Sequence, residues 1–205
     1  MALETTQILI ALATYLVATA SPGPATLAIM DIAMDKGRKP AIIFASGVLA
    51  GSFIWALLAV LGIAVLLSSY ANLFYWLKIL GGVYLLWLSY KSIKKITSKN
   101  NNKTNKTQSS KKLFTQGLAL HVTNPKAIFT WVAIVSLALP QNASISLSLV
   151  VVFACMLLGI LVFGGYALLF STAKAQAAYK RLGNWFNGIL ALVFGVAGVK
   201  LLSSQ

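Results

Sequence analysis

Six stretches of this chain are apolar for long enough to cross a lipid bilayer: residues 6–34, 41–67, 72–93, 114–138, 145–170 and 183–202. A helix needs about 20 such residues to traverse a hydrocarbon core of about 30 Å. Within lipid every backbone polar group must be paired inside the protein, which restricts spanning runs of this length to helices. Water is a poor solvent for the alternative. Hydrophobic residues make up 59% of the 205 and charged residues only 10%, against about 25% charged in an ordinary globular domain. The expected fold is an all-α integral membrane protein with six transmembrane helices. The first run is too long, and begins with too little positive charge, for a cleavable signal peptide.

The charge distribution orients those helices. The formal net charge is +14, and fourteen of the seventeen Lys and Arg residues fall in three segments: Lys36–Lys39, Lys91–Lys112 and Lys174–Arg181. The intervening connections, around Ser68–Asn72 and Pro140–Ser144, carry no charge. Basic residues confined to alternate loops mark the cytoplasmic face, which places both termini outside. A nucleic-acid module would need a basic face on a folded soluble domain, so no nucleic-acid partner is expected. With this orientation the chain divides into a three-helix repeat at 1–93, a basic cytoplasmic loop at 94–112, and a second three-helix repeat at 113–205. The two halves run in opposite senses. Inverted repeats of this kind are common in secondary transporters.

The first helix of each half is predicted to be broken. Residues 6–34 would extend roughly 43 Å as one straight helix, and Ser21-Pro22-Gly23-Pro24 lies near the middle. Each proline removes a backbone donor and disfavours helical geometry in the residue before it. The fourth span carries Thr123-Asn124-Pro125-Lys126 at its own middle. Opened backbone must face protein or a water-filled cavity, and paired breaks point to a binding site between the repeats. The helix restarting at Pro24 would offer N–H groups and a positive dipole end to an anion such as a carboxylate. Ser21 is expected to cap that helix or to donate to a ligand. Taken singly, each proline is explained as well by packing. Two at matching positions favour a site.

At these residues the chain resembles the LysE/RhtB family of amino-acid exporters. The resemblance rests on Ser21-Pro22-Gly23-Pro24-Ala25-Thr26-Leu27, on Lys36-Gly37-Arg38-Lys39 and Gly47-Val48-Leu49-Ala50-Gly51, on the segment Leu77–Leu88 around Gly81-Gly82, and on Gln116–Ala127 with His121 and Asn124-Pro125. The order and spacing match over almost the entire chain. The resemblance implies a multi-pass protein of the bacterial inner membrane that exports amino acids or related metabolites, driven by protons. Many members carry Asp or Asn where this chain has Ala25.

A few residues remain for chemistry. Asp31 is the one acid well inside a span, and an intramembrane carboxylate is costly enough to be a functional candidate. It can hold a substrate ammonium or a coupled proton, or it can simply pair with Lys36 near the helix end. His121 is the sole histidine. Imidazole titrates near pH 6.5, about where a proton carrier works. Its position three residues before Asn124 would stack the two on one helix face. Asp31 and His121 are thus the proton-coupling candidates, and they are expected in the same half of the membrane, within possible reach of each other. Ser21, Pro22, Gly23, Pro24, Thr123, Asn124, Pro125 and Lys126 are the substrate-binding candidates. Lys126 would meet a carboxylate or neutralise Asp31. Gly47 with Gly51, and Ala191 with Gly195, form small-residue faces suited to close helix packing, within the chain or in a homo-oligomer. Trp76, Trp87, Trp131 and Trp185 fit interface anchoring or packing.

Rival functions fare less well. With three acids, one His and one Cys in the chain, an intramembrane enzyme has too few groups for a nucleophile–base or metal mechanism. No catalytic residue, metal site or cofactor is expected. A thiol relay needs two cysteines, and Cys155 stands alone. Export of a soft metal cation would favour thiolates. Export of another small solute is the remaining alternative.

Overall fold

The computed structural model describes residues 2–61, 71–97, 108–139 and 143–203. Among them are eight helices and no strand: α1 (Ala2–Ala20), α2 (Pro24–Lys36), α3 (Arg38–Val60), α4 (Ala71–Thr97), α5 (Ser110–Val122), α6 (Pro125–Ala138), α7 (Ile145–Phe170) and α8 (Ala173–Ser203). Outside the described residues lie the predicted end of the second span (62–67), most of the basic loop (98–107), and residues 140–142 of the uncharged connection. The Trp76 side chain lies outside them too.

Two helices, α3 and α7, are long and apolar enough to cross a membrane unbroken. Two further helix pairs are apolar and long enough only when taken together, and each pair is bent. Thr5–Ala20 and Pro24–Lys36 meet at 52°, and Ser110–Val122 and Pro125–Val135 meet at 59°. Both bends sit at the prolines the sequence singles out. The third and sixth apolar runs lie within α4 and α8. These helices overrun the apolar limits, α4 to Thr97 and α8 from Ala173. Helical hydrogen bonding extends beyond the apolar run through Lys94–Thr97 in α4 and through Ala173–Leu182 in α8, where no Gly or Pro interrupts it. The 94–112 loop is shortened accordingly.

The outer surface is apolar, with Val17, Phe153, Leu161, Leu169 and Leu192 among its exposed side chains. α7 is hydrophobic around its whole circumference, as a helix packed against both protein and lipid must be. Inside, buried residues form two clusters. One gathers Tyr15, Trp55, Trp131, Ile134, Val151 and Cys155. The other gathers Ile29, Phe44, Val48, Leu120, Phe163 and Leu190. The breaks in α1–α2 and α5–α6 fall between them.

Small residues set the closest approach. The Gly47 position of α3 presses on the Phe114 carbonyl of α5, and Gly117 of α5 presses on the Phe44 carbonyl of α3. Gly51 faces His121 in the same seam. These glycines therefore pack helices within one chain. At the α4–α8 contact the Ser89 hydroxyl donates to the Ala191 carbonyl at 2.7 Å and lies beside Gly195. α2 turns into α3 at Gly37, whose φ of 86° is reserved in practice for glycine. The described parts of the basic segments meet at one end of the bundle. Lys36 Nζ donates to Gln108 Oε1 at 2.7 Å, and Arg38 Nε to Ser171 Oγ at 3.4 Å.

Candidate functional site at the two breaks

A cavity lies where the broken helices meet. Ser21, Gly23, Asn124, Lys126 and His121 line it. Pro22, Pro24, Thr123 and Pro125 shape the backbone around it without lining it. Tyr15, Thr19, Thr26, Ser52, Thr130 and Trp131 also line it, and sequence reasoning did not single them out for a site. Two of these had a local signal. Thr26 lies three residues after Gly23, and Thr130 one helical turn after Lys126. Tyr15, Ser52 and Trp131 reach the cavity only through tertiary packing.

The two helix restarts differ. At α2, Pro24 has no N–H and the Gly23 N–H donates to Thr26 Oγ1 at 2.9 Å. The Thr26 hydroxyl donates back to the Gly23 carbonyl at 3.1 Å, which also receives the Leu27 N–H at 2.9 Å. That leaves the N–H groups of Ala25 and Thr26, which a helix cannot satisfy internally, in residues lining the cavity. At α6 the same groups are occupied. Asn124 Oδ1 accepts from the Lys126 N–H at 3.1 Å, and the Asn124 carbonyl accepts from Ala127 at 3.0 Å and Ile128 at 3.3 Å. The α2 restart is thus the one with donors to spare.

Lys126 crosses from the second break to the first. Its Nζ donates to the Ser21 carbonyl at 2.8 Å and to Ser21 Oγ at 2.7 Å. The Ser21 hydroxyl in turn donates to the Ala18 carbonyl at 3.1 Å. Ser21 therefore closes the C-terminal end of α1, where a cation is favoured, and does not cap α2. Gly23 occupies that capping position, because the rigid Ser21-Pro22 step carries the chain one extended residue further before it coils again. The lysine stem lies over Gly23, where a β-carbon would sit 3.1 Å from Nζ.

One wall is a buried polar network. Ser52 Oγ accepts from Trp131 Nε1 at 3.1 Å and shares a hydrogen bond with the Tyr15 hydroxyl at 3.1 Å. Trp55 Nε1 donates to the Val122 carbonyl at 3.1 Å, meeting one of the acceptors that the end of α5 leaves over. His121 is only 5% exposed. Its ring stands edge-on to Phe163 with centroids 5.9 Å apart, and its Nδ1 has no hydrogen-bond partner among the described residues. His121 and Asn124 both line the cavity, but α5 ends between them. They meet across the break and not along a continuous helix turn.

Asp31 lines a different cavity. Its Oδ1 accepts from the Tyr179 hydroxyl at 2.8 Å. Tyr179 precedes the last apolar run, and burial, followed by the Asp31 charge, holds its phenol above the usual range. Lys126 is directed to Ser21, and Asp31 to Tyr179 in a cavity that neither His121 nor Lys126 lines. Trp131 is packed in the core at 1% exposure, whereas Trp185 stands 78% exposed. Among the described residues no three of His, Cys, Asp and Glu gather as a metal site would require.

A cavity lined by hydroxyl, amide and ammonium side chains between two interrupted apolar helices, inside a helical bundle with an apolar exterior, is the arrangement of a membrane transport protein. The sequence pattern of the LysE type translocators matches residues 16–205, and the chain belongs to that family. Members of it are transporters and not enzymes. A threonine efflux protein of Salmonella typhi is 29% identical over 196 residues, covering 93% of this chain and 95% of the relative. A threonine efflux protein of Escherichia coli K12 is 28% identical over the same length. A leucine efflux protein of Enterobacter sp. strain 638 is 29% identical over 181 residues, covering 84% of this chain and 85% of the relative. No solved structure matches this chain significantly.

Proposed function

We propose that this protein exports small neutral amino acids from a bacterial cytoplasm in exchange for protons, binding them at the cavity between the two breaks. The observation that carries the reading is the Lys126 bridge to Ser21 beside the open restart of α2. An amino acid's carboxylate would take the Ala25 and Thr26 N–H groups and the Lys126 ammonium, and would draw the lysine off the Ser21 carbonyl. That carbonyl, at the negative end of α1, is then available to the substrate's own ammonium. The threonine and leucine named in the relatives support a small substrate.

The architecture that suits this chemistry is the six-span one. Residues 1–93 and 113–205 form inverted three-helix halves, the basic segments face the cytoplasm, and both termini lie outside. Rocking of one half against the other would expose the cavity to each side in turn. Breaking the Lys126–Ser21 bridge, which joins the halves, is a natural step in that motion. His121 is the proton-coupling candidate at this cavity, since it is buried there with a ring nitrogen that has no partner among the described residues. Asp31 is the other candidate, at the second cavity.

Efflux tests the proposal. Cells preloaded with threonine, leucine and other amino acids from dipeptides should lose one or a few of them faster when the protein is present, and a protonophore should abolish the gain. Lys126→Ala should reduce that efflux at least tenfold. Unchanged efflux across the panel, with the protein shown to be inserted, would refute amino-acid export. Efflux indifferent to the protonophore would refute proton exchange.

A further inference from the structure

A second cavity lies among α2, α3, α4, α5 and α8. Its lining is of two kinds. Asp31, Lys36 and Lys91 bring both signs of charge, and Phe44, Trp87 and Phe194 bring apolar surface. Each charge has a neutral group among its partners. Asp31 Oδ1 receives the Tyr179 hydroxyl, whose oxygen also lies 3.4 Å from Asn187 Oδ1. Lys36 reaches Gln108. Lys91 Nζ stands 4.0 Å from the Trp87 ring centroid, a cation–π distance. The cavity lies at the end of the bundle that carries the basic segments.

A lining with one carboxylate, two ammonium groups and an apolar wall suits a solute of the same make-up. A simple cation would be repelled by the two lysines. A simple anion would be drawn by the lysines but would leave Asp31 unmatched. A zwitterion presents each charge to its opposite.

We infer that this second cavity is a loading site for the free amino acid on the cytoplasmic side, where Asp31 takes the α-ammonium and Lys36 and Lys91 take the carboxylate. The inference rests on the exporter reading above and on its assignment of the basic face to the cytoplasm. The Tyr179 hydroxyl orients Asp31 and so acts as a positioning residue. The loading site and the break cavity are separated by little. Adjacent residues of α5 face one each: Leu120 lines the loading site and His121 lines the break cavity. On α2 the same division falls between Thr26 and Ala28. Leu120 is 1% exposed and packs with Ile29 and Phe163 in the buried cluster. Solute passes inward when that small apolar partition shifts.

The experiment uses the full chain in proteoliposomes and measures initial rates with threonine, N-acetylthreonine and threonine amide. Threonine counterflow by the wild type comes first. If neither threonine nor leucine moves, the exporter reading itself fails. With counterflow established, wild type is expected to reject both derivatives, because each lacks one of the two charges. Asp31→Asn should raise KM for threonine about tenfold, the scale of one lost charged contact, with a smaller effect on maximal rate. It should also narrow discrimination against N-acetylthreonine. Lys91→Gln, alone and with Lys36→Gln, should do the same toward the amide. Tyr179→Phe should give an intermediate rise in KM. If Asp31→Asn does not insert, Tyr179→Phe and Lys91→Gln carry the test. Unchanged KM and unchanged discrimination in the inserted variants would overturn the loading site. So would a loss of maximal rate at constant KM, which would leave Asp31 as a coupling group.

Discussion

Gly47→Ala should weaken the bundle by an amount set by the α3–α5 seam. A β-carbon at Gly47 would collide with the Phe114 carbonyl oxygen and lie 2.9 Å from the Leu118 nitrogen. These are backbone atoms, so no side-chain rotation relieves the contact and the helices must part. Forcing a methyl into a packed interior costs about 1–3 kcal/mol, and an unyielding neighbour puts this case near about 3. Replacing a helical glycine by alanine returns about 1 kcal/mol of intrinsic helix stability. The net loss is about 2 kcal/mol, which for a chain of this size corresponds to a melting temperature roughly 4–8 °C lower. Gly117→Ala meets the Phe44 carbonyl from the opposite side and should cost a similar amount. The double variant should cost less than the sum, because parting the helices for one methyl makes room for the other. Gly164→Ala is the control, since among the described residues nothing lies within 4 Å of its added carbon. It should melt at or slightly above the wild-type temperature. Thermal unfolding of the purified protein in mild detergent, followed by tryptophan fluorescence, reads all four. If Gly47→Ala and Gly117→Ala melted within about 1 °C of wild type, on the same temperature scale, the close approach of α3 and α5 would be refuted.

Three further outcomes follow from the same packing. Ser52→Ala leaves the Tyr15 hydroxyl and the Trp131 N–H without their shared partner and should cost about 1–3 kcal/mol; an unchanged melting temperature would show that the network contributes nothing. Asn124→Ala removes the cap on the Lys126 N–H and should cost about 1 kcal/mol, while Asn124→Asp keeps an acceptor and should retain most of that stability in the same melt. Cys155 is buried in the core and should resist a small membrane-permeable maleimide until the protein is unfolded in SDS. Rapid labelling of the native protein would contradict its placement.

The features legible in the sequence are those imposed by local covalent chemistry and by solvent. Apolar length requires helices in lipid, and the bends at Pro22–Pro24 and Asn124–Pro125 come from missing donors and restricted dihedrals in the residues themselves. The glycine seam at Gly47 and Gly51 was visible as spacing, because side chains four apart share a helix face whatever lies opposite. Ser21 shows where such reading stops. Its type suits a helix cap, yet the Ser21-Pro22 step leaves it at the end of α1, and Lys126 determines its partner from 105 residues away.

Only tertiary structure could decide what lies opposite each helix. Asp31 and His121 looked alike in the sequence as lone titratable groups at similar depth. Packing assigns them to separate cavities, with Tyr179 beside one and Phe163 beside the other. Tyr15, Ser52 and Trp131 are unremarkable in their own helices and become a network only where three helices converge. Periodicity determines which face of a helix is buried. Which residues that face meets depends on contacts between distant segments, and here on the few glycines that let two backbones touch.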